Sequence, residues 1–270
     1  MSQIKSKILN LLASTKIDGR YRTLLEHYKL NGIYDKLFYH NTDHVRAVLN
    51  LFEVLRKISG KGFEKSKLEA AYLAAVFHDI YHTGKPDTHF DEHAGNNIGI
   101  AVTYFTSWAV TNRNMENPQD YRLVADTILL IKSTEYPNTS TEITDPELRE
   151  LSYMLRDADM LWGTMPGNAA SCMIGMWMER HAAGLETGTI DIAKTLVNQL
   201  NFIRNYQPLS AAGRTYKNAM FEDASAAWAA AALEYERQIQ AAEIVSELSA
   251  AEALQTAHAI RNSILNKPAS

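Results

Sequence analysis

Histidine is unevenly placed in this chain of 270 residues. Six of its nine histidines (His40, His44, His78, His82, His89 and His93) fall in one stretch of the first half. Helix formation and core packing give no reason for such a concentration. Imidazole is a common ligand for transition metals and a proton carrier near neutral pH. The clustering therefore points to a metal or acid–base site. His44 opens an apolar helix and shares a face with Val48, Leu51 and Leu55, so it points inward. His78 and Asp79 end another apolar helix, AAYLAAVFHDI. Neighbours within a helix diverge by about 100°, but at a helix end both can reach a common ion. Asp159 continues the Leu148, Leu151, Leu155 stripe and should also face the core. A buried carboxylate without a partner is costly, and a cation would compensate. Two histidines and two aspartates make a mixed nitrogen and oxygen set that suits a divalent transition metal or magnesium.

The elements that must position these residues have the helical period nearly everywhere. Val45, Val48, Phe52 and Leu55 recur at three- and four-residue steps, as do Leu68, Ala71, Tyr72 and Ala75. No long segment alternates with the strand period, and Val, Ile and Thr do not cluster between turn signals. Asp145-Pro146-Glu147 predicts a helix start, with Asp as N-cap and Pro in the first turn. Gly60 and Gly62 end the helix before them. Residues 83–91, 112–118 and 137–144 are predicted loops. Residues 219–260 are alanine-rich and free of proline, which favours long helix. The fold class is all-α, a helical bundle. Residues 1–218 are expected to form its core and 219–270 a helical extension packed on that core, a candidate homodimer interface.

Composition narrows the function. With 46% hydrophobic and 21% charged residues the chain can bury a core, which argues against disorder. The single cysteine, Cys172, cannot pair within the chain. A net charge of −4 argues against binding extended nucleic acid, which needs a basic surface. No stretch approaches the roughly 20 apolar residues of a membrane helix, and the amino-terminal MSQIKSKILNLLAS lacks the apolar run of a signal peptide. The expectation is a cytoplasmic protein that does not engage a membrane. No G-x-x-x-x-G-K and no G-x-G-x-x-G is present.

The order His44, His78-Asp79, Asp159 resembles the HD-domain superfamily of metal-dependent phosphohydrolases. Tyr39-His40-Asn41-Thr42-Asp43-His44 has the Y-H-N-x-x-H form of cyclic-nucleotide phosphodiesterases, and His78-Asp79-Ile80-Tyr81-His82-Thr83-Gly84 follows the opening of their H-D-apolar-x-H-x-Gly signature. Beyond it the chain departs, with Asp87 and His89 where Asn or Gln and an apolar residue are usual. Ile131-Lys132-Ser133-Thr134-Glu135 resembles the family's later segment, and Ala158-Asp159-Met160-Leu161 its final A-D-x-L ligand segment. Asp157 also precedes an alanine, but the match favours Asp159. The resemblance covers roughly residues 35–165.

The resemblance implies an all-helical bundle holding one or two divalent ions (Mn, Mg, Zn, Fe, Co or Ni) through His44, His78, Asp79 and Asp159. It implies His40 as the general acid and His82 as a second catalytic residue beside the metal-bound water. Asn41, Lys85, Glu92, Thr134 and Glu135 are candidates for contacting substrate or supporting the metals. The expected activity is hydrolysis of a phosphoester in a nucleotide or related small molecule, with phosphodiesters favoured. A nucleotidase or nucleoside triphosphate hydrolase of the same superfamily is the alternative enzyme. A non-catalytic helical module binding a nucleotide or a protein is the alternative outside enzymes.

Overall fold

The structure is a computed structural model that describes residues 3–30, 37, 39–84, 96–135, 142–165, 168–184 and 192–242. Regular structure among these residues is helical, with no strand, as the periodicity predicts. In chain order the helices are α1 (Gln3–Ser14), α2 (Gly19–Leu30), α3 (Thr42–Ser59), α4 (Lys65–Phe77), α5 (Asn97–Asn112), α6 (Pro118–Lys132), α7 (Pro146–Leu161), α8 (Ala169–Ala182), α9 (Ile192–Asn205) and α10 (Ala211–Ala242). A single 3-10 turn, Trp162–Thr164, follows α7.

Helix α3 is the spine. The Asn41 side chain accepts the backbone N–H groups of Asp43 and His44 at 3.0 and 3.1 Å, which satisfies donors that a helix start leaves open. From Val45 to Leu55 its apolar residues are buried, and α7, α10, α1 and α4 pack around it. Burial on several sides explains why the apolar stripe is wider than one surface helix needs. Helix α4 packs on α6 and α7, and its Ala70, Ala71, Ala74 and Ala75 are buried, small side chains that allow close approach. Helix α7 starts at the predicted cap: Asp145 Oδ1 accepts from the N–H groups of Glu147 and Leu148 at 3.0 and 2.9 Å. Lys67 of α4 reaches the other oxygen of that carboxylate at 2.7 Å and ties the two helix starts together.

The carboxy-terminal helix begins earlier than residue 219. Helix α10 starts at Ala211 and passes residues 218 and 219 without interruption, so that position lies inside a helix. Its start is set by a side chain rather than by alanine content. Ser210 Oγ accepts the N–H of Gly213 at 2.8 Å, an N-cap contact invisible to a composition argument. Ala212, Tyr216, Met220, Ala224, Trp228 and Ala231 form the buried stripe of α10. That stripe packs on α9, α3, α8, α1 and α7. The remainder of the predicted extension, 243–270, lies outside the described residues. No described helix is long and apolar enough to cross a membrane.

Candidate metal centre

Three helix ends meet at one point. His44 lies in the first turn of α3, His78 caps the carboxy-terminal end of α4, and Asp159 stands in the last turn of α7. After Phe77 the chain leaves α4 through turn-type bonds, Ile80 N–H to Phe77 O and His82 N–H to Asp79 O, both at 3.1 Å. The backbone there bends enough for Asp79 to face the same point as His78. One ligand atom from each of His44, His78, Asp79 and Asp159 falls within 4.8 Å of all the others.

The donor atoms converge without pairing. His44 Nε2 lies 2.8 Å from Asp79 Oδ2 and 3.3 Å from Asp159 Oδ1. His78 Nε2 lies 3.1 and 3.4 Å from the same two oxygens. Neither nitrogen makes a hydrogen bond, although both are sealed from solvent. Buried polar atoms left this way are uncommon. The His78 Nδ1 donates to the Ala75 carbonyl at 2.9 Å, since a carbonyl can only accept. In the neutral ring the proton therefore sits on Nδ1, which leaves the Nε2 lone pair for a cation at the centre, the arrangement a metal-binding imidazole needs. Two carboxylates and two imidazole nitrogens aimed at one point fit a divalent cation.

The electrostatics agree. Burial alone would lower the pKa of His44, but the carboxylates of Asp159 and Asp79 outweigh it and raise the value. His78 is raised well above the ordinary histidine value against the same burial, by Asp79 first and then Asp159. Burial pushes Asp79 and Asp159 up, yet the facing histidines hold both carboxyls below the usual range. Without a cation, protons on the histidines balance the two carboxylates.

Beside this cluster lies a second one. His40 sits in the bend before α3, not in the helix, and its ring stacks on His82 with centroids 3.6 Å apart. His82 accepts the N–H of Gly84 on Nδ1 at 3.0 Å. Burial, followed by the charge of His40, pushes its pKa down to about 3, so it is neutral near pH 7. His40, His82 and Asp79 also bring ligand atoms within 4.8 Å of one another.

Glu179 of α8 closes the arrangement, and it is absent from the sequence-based set. It is buried, contacts His40 Nδ1 through a hydrogen bond, and accepts the backbone N–H groups of Tyr39 and His40 at 3.0 and 3.1 Å. Burial raises its carboxyl, but the His40 contacts outweigh that and hold it below the usual range. Gly84 is pressed against it: backbone φ there is +76°, and a Cβ would meet the Glu179 Cγ at 3.3 Å. A signal for Glu179 existed in the sequence. It lies seven residues after Cys172 on the same helical face, both buried, an acid on an apolar stripe as Asp159 is.

The other candidates are placed differently. The Asn41 side chain is occupied as the cap of α3. The Thr134 hydroxyl donates to the Ile131 carbonyl at 2.8 Å, at the end of α6, and Glu135 follows it. Lys85, Glu92, His89 and His93 lie outside the described residues. Asp157 faces away from the His44, His78, Asp79 and Asp159 cluster and holds the start of α10. Its carboxylate accepts from Tyr206 Oη at 2.7 Å, the N–H groups of Leu209 and Ser210 at 2.8 Å, and Ser210 Oγ at 2.6 Å.

No protein-family model matches the chain, and no curated protein does. Among solved structures it is similar to the phosphodiesterase domain of the Salpingoeca rosetta rhodopsin phosphodiesterase. The identity is 19%, the TM-score is 0.55, and the match covers 90% of this chain and 92% of that one. At this identity the likeness speaks for the architecture: the chain has the helical fold of that domain.

Proposed function

We propose that this chain is a metal-dependent phosphohydrolase of the HD type that cleaves a phosphoester in a nucleotide or related small molecule, with phosphodiesters as the favoured class. The observation that carries this reading is the pair of buried, unbonded histidine nitrogens aimed at Asp79 and Asp159, next to a histidine backed by a buried glutamate. The fold shared with a phosphodiesterase domain supports it.

His44, His78, Asp79 and Asp159 would hold the ion. A divalent cation in such a site polarises a phosphoryl oxygen and lowers the pKa of water. The rest falls to the protein. In-line attack on phosphorus breaks the bond to the leaving oxygen, which must gain a proton as it departs. His40 supplies that proton. Glu179 grips His40 Nδ1 and, through the two backbone N–H groups, fixes the bend that carries the ring. Among the described residues nothing bonds to His40 Nε2, which leaves that nitrogen for the transfer. His82, neutral and stacked on His40, holds the ring plane without competing for the proton.

The test is a screen of the metal-loaded protein against cyclic nucleotides, nucleoside mono- and triphosphates and generic phosphodiesters. Turnover that is highest on phosphodiesters and disappears with a chelator is expected. Turnover confined to mono- or triphosphates would move the assignment to a nucleotidase or triphosphate hydrolase. Absence of both stoichiometric metal and turnover would overturn the enzyme reading.

A further inference from the structure

The turn after α4 takes a backbone conformation that its sequence does not favour. Tyr81 has φ +56°, and among the described residues no other residue except glycine has a positive φ. In the left-handed region a Cβ crowds the following carbonyl, so a bulky side chain there has to be imposed by its surroundings. Left-handed residues commonly stop helices, and glycine or asparagine usually fills that place. Here a tyrosine fills it, between Asp79 and His82. Were Tyr81 helical, α4 could run on through residue 82. The Asp79 side chain would then point about 100° away from His78. The stop lets both residues face the end of α3.

Helix α5 grips this turn at three places. Phe105 and Trp108 pack their rings on Phe77, the last residue of α4, with centroids 5.2 and 5.4 Å apart. Tyr104 lays its ring on that of Tyr81 at 4.1 Å, with 31° between the planes. Asn97, itself buried, accepts the N–H and the hydroxyl of Thr83 on Oδ1 at 2.8 and 2.9 Å. The chain is thus fixed before Asp79, between Asp79 and His82, and after His82. No described residue of α5 belongs to either cluster of prospective cation ligands.

Of the three contacts, the one made by Tyr104 falls on the left-handed residue itself. Phe105 is fully buried and fills the core, whereas Tyr104 is 43% exposed. Core packing therefore does not account for the Tyr104 ring. Its contact with Tyr81 does, because two stacked rings stabilise the one backbone conformation that brings them together.

We infer that Tyr104 is a positioning residue: by stacking on Tyr81 it holds the left-handed turn that aims Asp79 and His82. The inference rests on the proposed metal centre, to which Asp79 belongs. It makes one specific demand. If Tyr104 acts only by holding Tyr81 left-handed, it is dispensable once residue 81 is glycine, which adopts that conformation without strain.

The test uses the full chain and two readouts. Mn²⁺ affinity is measured by titration, with free Mn²⁺ followed by electron paramagnetic resonance. Amide hydrogen exchange of peptides covering residues 78–84 is measured on the metal-free protein. Tyr104→Ala should weaken Mn²⁺ binding and speed exchange of the turn, each by about three- to ten-fold, the scale of one aromatic pair. Peptides from α3 and α7 should exchange as in wild type. Tyr104→Phe, which keeps the ring, should stay within about two-fold of wild type in both readouts. In a Tyr81→Gly background, adding Tyr104→Ala should change Mn²⁺ affinity by less than about two-fold. Wild-type behaviour of Tyr104→Ala would overturn the inference, and so would faster exchange throughout the chain. An equal loss of affinity with tyrosine or glycine at residue 81 would overturn it too, since Tyr104 would then act elsewhere. Failure of wild type to bind Mn²⁺ would instead remove the metal centre, while exchange of residues 78–84 would still decide whether Tyr104 holds the turn.

Discussion

Asp157 and Asp159 stand two residues apart on α7 and serve different parts of the molecule. Asp159 Oδ1 lies 3.3 Å from His44 Nε2, among nitrogens that have no hydrogen bonds. Asp157 accepts hydrogen bonds from Tyr206, Leu209 and Ser210. Two helical steps turn a side chain by about 200°, so one carboxylate faces His44 and His78 and the other faces α10.

Asp159→Asn should therefore lose most bound metal, measured by elemental analysis after dialysis, with a small change in melting temperature of the metal-free protein. Asp157→Asn should do the reverse. An amide has one acceptor oxygen, and its NH₂ would face the donors of Ser210; the cost is about 1–3 kcal/mol. Metal content should stay near wild type. Equal metal loss in both variants would show that Asp157 shares the site.

Gly213 tests the same clamp from the other side. A Cβ there would overlap the Asp157 carboxylate. Gly213→Ala should be destabilised, although alanine favours helix over glycine by roughly 1 kcal/mol. A stabilised variant in chemical denaturation would mean that Asp157 does not hold the start of α10.

Metal binding should compete with protons. His44 and His78 have raised pKa values in the metal-free fold, held up by Asp79 and Asp159. A bound ion needs both nitrogens unprotonated. Affinity should fall as pH drops through those raised values, beginning above the ordinary histidine pKa of about 6.5. The metal-free protein should show the opposite trend on the alkaline side. Protonated histidines stabilise it fully below about pH 6.5, and that contribution is lost as pH rises through the folded pKa. Melting temperatures of both forms across pH 5 to 9 check this; a metal-free form that stabilises on going alkaline would contradict it.

His40→Ala should keep its metal and lower kcat by about 10²–10⁴-fold for a substrate with an alkoxide-like leaving group. A nitrophenyl ester, whose leaving group needs little protonation, should be affected far less. Glu179→Gln should follow the same pattern more weakly, since it retains a hydrogen-bonding group but not the charge. Loss of metal in either variant would place His40 or Glu179 among the ligands.

Trp228→Ala should cost about 3–5 kcal/mol. The side chain is fully buried and its Nε1–H donates to the Gly163 carbonyl at 2.9 Å, which joins α10 to the turn after Asp159. A cost under about 1 kcal/mol in denaturant would show that α10 does not complete the core.

What the sequence determined by itself is local. Period and capping read out the helical class, the start of α7 at Asp145-Pro146, and the inward faces of His44 and Asp159, because each depends on residues within a turn or two. The carboxy-terminal helix was legible in its alanine content, but its first residue was not. That start depends on Ser210 meeting Asp157, which is 53 residues away in the chain. Tertiary structure alone decided that His78 and Asp79 both face the point where α3 and α7 end, since this needs the backbone to leave α4 after Phe77. It alone brought Glu179 to His40, 139 residues away. An acid on an apolar stripe announces burial, but its partner is chosen by how helices pack, and no local spacing encodes that contact.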